Sequence, residues 1–154
     1  MSRLSFKAFC IEYYSQHIKK PSNEVYLLFK REGLLSLLDE EYEDLHGMGM
    51  EYLMAFIDDY LKKRSGFHST KNKRCEVITH STVRATILPV IVAKIAERYH
   101  ISEDTALDRF YQSATGASFA DDETGLYGQS PNYIFGLYMQ EIEEQDKTYP
   151  SEKG

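Results

Sequence analysis

Apolar residues in the first half of the chain recur every three to four positions, the spacing of helices that bury one face. Ser5 suits the cap of a first helix, whose stripe runs through Phe6, Phe9, Cys10, Tyr13 and His17 with Ile18 beside it. Pro21-Ser22-Asn23 interrupts the pattern, and Ser22 suits the cap of a second helix carrying Val25, Leu28 and Phe29. Gly33 provides a stop. A leucine-rich third helix turns Leu34, Leu37, Leu38, Tyr42 and Leu45 inward and ends at Gly47-Met48-Gly49. Met50, Leu53, Met54, Ile57, Tyr60 and Leu61 mark a fourth.

The stripe lapses over 62–74 and resumes with a short extended segment, Cys75 to Thr79. A helix is expected over 82–99, with Pro89 either kinking it or marking its true first turn. Ser102 caps the next, with Glu103 and Asp104 where the helix dipole favours acids and Ala106, Leu107 and Phe110 as its apolar face. An acidic loop, Asp121 to Gly125, leads to Ser130-Pro131, a cap followed by a first-turn proline. Ile134, Phe135, Leu137, Tyr138 and Ile142 then drive a last helix, and the tail from Gln145 is expected to fray.

The fold class is therefore all-α: two small helical halves, 1–61 and 75–144, joined by the segment 62–74 and followed by a tail, 145–154. Halves of about 60 residues are marginal alone, so a shared bundle-like core is expected. Sliding the sequence by 81 residues sets Phe29 on Phe110, Leu45 on Leu126, Gly47 on Gly128 and Tyr52 on Tyr133. The order of helix, break, helix, glycine and helix matches in the two halves, which points to an internal duplication.

Charge changes this picture at one place. The net charge is −6, yet 62–74 holds Lys62, Lys63, Arg64, Lys71, Lys73 and Arg74 and no acid, leaving −12 on the rest. Such a segment reads as a solvated linker. It is also the strongest argument for a DNA-binding regulator, because six cations can contact phosphates; the acidic remainder opposes that. Absence of a signal-like start or a long apolar run predicts a cytoplasmic protein without a membrane span.

No residue pattern announces catalysis, a metal or a cofactor. His46 ends the third helix, where a histidine suits the helix C-terminus. His17 is expected to pack. His68, Cys75 and His80 match no zinc spacing. The acid runs at Asp39, Asp58, Asp121 and Glu141 are expected to be solvated, and Gly47-Met48-Gly49 lacks the rest of a phosphate loop. A small enzyme with an unrecognised site stays as one alternative. The twelve tyrosines are the better signal: so many hydroxyls cannot all be satisfied in a core this small, and tyrosine is a frequent interface anchor.

Phe9-Cys10-Ile11-Glu12-Tyr13, Glu24-Val25-Tyr26 with Phe29, Tyr42-Glu43-x-Leu45-His46 and Gly49-x-Glu51-Tyr52-Leu53 together form a further pattern over Phe6 to Leu61. It resembles DUF3791, a bacterial family of small helical proteins catalogued as a domain of unknown function. Gly47-Met48 stands where that family more often has a Thr-Gln pair. The resemblance implies an antitoxin-like protein whose partner is an ADP-ribosyltransferase-type toxin encoded nearby. The reading is then a non-catalytic protein-binding module, with Tyr42, His46, Tyr52, Tyr127 and Tyr133 as partner-binding candidates.

Overall fold

A computed structural model describes residues 2–65 and 80–148. Its described residues form α1 (Arg3–Ile18), α2 (Ser22–Arg31), α3 (Leu34–Glu40), α4 (Tyr42–Leu45) and α5 (Met50–Ser65). After the undescribed segment come α6 (Ser81–Tyr99), α7 (Glu103–Gln112), α8 (Ala114–Ala120) and α9 (Pro131–Thr148), with two short 3-10 turns at Asp122–Thr124 and Leu126–Gly128. No strand occurs among the described residues, so the all-α expectation holds.

The centre of the fold is the pair α1 and α6, the most extensive helix contact among the described residues. Tyr13 meets Thr82 at one end, and Ser2 and Leu4 share a groove with Ala93 and Glu97 at the other, so the two helices run antiparallel. Around them, α2, α3 and α5 cover α1, while α7 and α9 cover α6. Phe6, Ile11 and Tyr14 of α1 and Leu88, Ile91 and Ile95 of α6 are buried, and one apolar cluster runs through both halves. The halves thus share the core that neither is large enough to build alone.

The central position of α1 corrects its expected stripe. Helices cover it on several sides, so Lys7, Ala8, Glu12, Tyr14 and Ser15 are buried as well, while Phe9, Tyr13 and His17 are only partly so. Its cap is Ser2, whose hydroxyl accepts from the Ser5 N–H at 3.0 Å. At α2 the N-cap is Pro21, and Ser22 is the first helical residue. The third predicted helix is two, α3 and α4, divided at Glu41. Pro89 lies inside α6, neither starting nor ending it. Helix α5 continues to Ser65 through three of the linker cations, and α9 continues to Thr148 where fraying was expected. The extended segment at 75–79 lies outside the described residues.

The 81-residue offset aligns more than apolar positions. It carries α2 onto α7 without a residue's discrepancy and starts α9 at the counterpart of the first residue of α5. Lys19 and His100, again 81 apart, end α1 and α6 in the left-handed region at φ 57 and φ 56. In each case the cap N–H closes on a carbonyl of the last turn, Ser15 or Ala96.

Helix α8 was not expected. Its N-cap Ser113 accepts from the Gly116 N–H at 2.9 Å, and Gly116 packs so closely on the end of α7 that a Cβ there would lie 1.8 Å from the Phe110 carbonyl oxygen. Glu141 of α9 completes the start of this helix, accepting from the N–H groups of Ala114 and Thr115 at 2.9 Å each and from the Thr115 hydroxyl at 2.7 Å.

Candidate functional site

A buried polar cluster crosses the α1–α6 join. Glu12 is fully buried, and Arg84 is 4% exposed. Arg84 Nε donates to Glu12 Oε1 at 2.8 Å, and the Tyr111 hydroxyl donates to Oε2 at 2.6 Å. Arg84 Nη1 reaches outward to Asp122 Oδ1 at 2.5 Å. A carboxylate this deep survives only with such partners, since an unpaired buried charge costs several kcal/mol. Burial pushes the Glu12 carboxyl up, with Arg84, Tyr111 and Ser22 opposing. The Ser22 hydroxyl stands beside the cluster, buried, without a well-aligned hydrogen bond of its own. Tyr111 is pushed well up by burial and then by the Glu12 charge, so it stays a donor.

The outer end of the cluster forms the wall of a cleft of about 550 Å³, between the end of α1, the starts of α2 and α6, and the end of α8. Arg84, His80, Lys19, Lys20 and Asp122 line it. Burial works against the Asp122 carboxylate, but Arg84 and His80 outweigh it and hold it below its usual range. His80 stacks on Tyr127, ring centroids 4.0 Å apart and planes 19° from parallel, with Arg84 above the Tyr127 ring at 5.7 Å. The Tyr127 hydroxyl lies 3.0 Å from His80 Nε2. Rings stacked face to face do not aim that hydroxyl proton at an in-plane lone pair, so the pair is a packed unit and not a proton relay. His80 Nδ1 is 3.3 Å from Asp122 Oδ2, off the line of a good hydrogen bond.

The sequence candidates fall into separate groups. Tyr42 is buried to 9% exposure, which corrects its selection as a surface residue; the α1–α4 contact takes it, edge-on to Phe6 at 5.6 Å and beneath Arg3 at 5.0 Å. His46 stacks on it at 4.4 Å, and its Nδ1 lies 2.7 Å from the Tyr42 carbonyl oxygen, the helix-end role expected of it. Tyr52 is 52% exposed and stacks on Phe56, with Met48 exposed one turn earlier. Tyr133, at the matching place on α9, is 53% exposed. Among the described residues no ring contact joins these groups. The offset nevertheless pairs Arg3 with Arg84, His46 with Tyr127 and Tyr52 with Tyr133, so each half stacks an arginine, a tyrosine and a histidine.

Several acids expected to be solvated are engaged. Asp58 accepts from the Tyr14 hydroxyl at 2.7 Å and pairs with His17 at 2.9 Å. Asp39 and Asp104 flank the buried Lys7. Burial pushes the Cys10 thiol up to about 12, which leaves it protonated and without nucleophilic character near neutral pH. Of the basic segment, Lys63 pairs with Asp59 at 3.2 Å, Arg64 lies over Tyr60 and 3.9 Å from Glu32, and Lys62 is exposed. Lys71, Lys73, Arg74, His68 and Cys75 lie outside the described residues. No group of three or more metal-ligating side chains occurs among the described ones, and no described helix is long and apolar enough to cross a membrane.

Glu12 and Arg84 escaped the sequence reading, although a signal was present. Arg84, Leu88, Ile91 and Ile95 follow the helical stripe, and Glu12 sits between Ala8 and Ser15 on the inward side of α1. A charge on the buried phase of two helices in one chain predicts a pair.

Residues 5–64 match the model of a family described as Protein of unknown function (DUF3791). No curated protein and no solved structure matches the chain. The family's pattern therefore lies on α1 to α5.

Proposed function

With the DUF3791 pattern carried by the first half, we propose that the protein is a non-catalytic protein-binding module built by internal duplication. The observation behind this reading is the pair Tyr52 and Tyr133, each more than half exposed and placed alike on α5 and α9. Large aromatic side chains left outside at matching positions suit interface anchors, which gain most from desolvation on docking. Apolar neighbours reinforce both sites: Met48 and Phe56 beside Tyr52, and Leu137 one turn beyond Tyr133. The chain's acidity favours a basic partner surface.

By the family resemblance, that partner is an ADP-ribosyltransferase-type toxin encoded beside this chain, neutralised in the cytoplasm by covering its active cleft. Of the cations the DNA-binding alternative would use, Lys63 and Arg64 each stand beside an acid. Co-expression with the neighbouring gene product tests the reading. A stable stoichiometric complex is expected, weakened at least tenfold by Tyr52→Ser with Tyr133→Ser. No complex, together with tight salt-dependent DNA binding, would overturn it.

A further inference from the structure

We propose that the cleft at Arg84 is a binding site for small carboxylate compounds, and that Asp122 occupies the ligand's place in the present structure. The cavity, about 550 Å³, falls in the size range of small-molecule sites. Arg84 is held rigid from behind by Glu12, so its guanidinium is pre-organised and loses little freedom on binding. Among the described residues its Nη2 has no hydrogen-bond partner, while Nη1 takes the carboxylate of Asp122. Both groups that arginine holds are carboxylates, one permanent and buried, the other on a three-residue turn with a side chain 56% exposed.

The remaining charges fit an acid arriving from solvent. Lys19 and Lys20 line the cleft and form no ion pair among the described residues. Glu24 and Asp121 line it too. Asp121 is committed to the Glu123 N–H at 3.0 Å, and Glu24 sits in the first turn of α2, where the helix dipole favours it. The counterpart arginine is placed differently: Arg3 is exposed and donates to the Asp39 carbonyl oxygen at 3.2 Å.

Titration of the full isotope-labelled chain with sodium succinate, sodium phosphate or sodium chloride at matched ionic strength, followed by NMR, tests this. Succinate is expected to give saturable shifts confined to amides around Lys20, Ser81 and Asp121. Asp122→Ala should tighten succinate at least fivefold by removing the internal competitor. Lys19→Ala with Lys20→Ala, both at the surface, should weaken it at least threefold. Shifts equal to those in chloride, tighter binding of phosphate than succinate, or an Asp122→Ala affinity no better than the parent's would each overturn the proposal. If Asp122→Ala does not fold, the lysine pair decides.

Discussion

Arg84 Nε lies 2.8 Å from Glu12 Oε1, joining two helices through residues 72 apart in sequence, with neither side chain more than 5% exposed. Such a pair is poor evidence for net stability, because both ions left water to form it; removing one partner is a different matter.

Arg84→Met is therefore expected to cost about 3–5 kcal/mol, because it strands the fully buried Glu12, and Glu12→Leu somewhat less, because Arg84 keeps Asp122. The double substitution should cost clearly less than the sum of the two. Urea denaturation of the four proteins measures the coupling, and simple additivity would contradict a direct pair.

Gly116 has no room for a methyl group. A Cβ would lie 1.8 Å from the Phe110 carbonyl oxygen, and backbone cannot swing aside as a side-chain tip can. Gly116→Ala should cost about 2–3 kcal/mol, within the range of overpacking, seen as a lower Tm. Gly47→Ala, with nothing within 4 Å of the added atom, is the control that should change little.

Glu141 caps α8 from another helix. Glu141→Ala should destabilise by about 1–2 kcal/mol, the scale of a lost N-cap. Hydrogen exchange should speed up at Ala114 and Thr115 before it does so elsewhere. Unchanged exchange there would remove the capping role.

Asp108 accepts from the Tyr26 hydroxyl at 2.8 Å, from Lys30 at 2.7 Å and from Gln112 at 2.8 Å. Burial raises its affinity for a proton, but these donors together prevail and hold the carboxyl below the ordinary 3.8. A depressed folded-state pKa means stability present above the unfolded value and lost as pH falls through the folded one. Asp108→Asn should lower stability by a nearly constant amount at neutral pH and flatten its fall below about pH 4, as urea denaturation across pH would show.

Helices with strong ends were legible in the sequence. Ser102 with Glu103 and Asp104 fixed α7, and Ser130-Pro131 fixed the start of α9, because capping and first-turn chemistry are local. Helix α8 was not, since Ala114 to Ala120 offers one large apolar residue, Phe119, and owes its start partly to Glu141 from elsewhere. Depth also misled: Tyr42 looked available, but a helix as short as α4 owes its place to packing on α1. Of the cleft, only a charge on an apolar stripe was visible. Which acid answers which arginine depends on how the helices cross, and no spacing along one helix encodes that.

Because the broadest contact joins α1 to α6, cohesion between the halves does not depend on the peptide bonds that run from one to the other. Nicking the backbone within 66–79 should leave two fragments that co-migrate through gel filtration and separate only in denaturant.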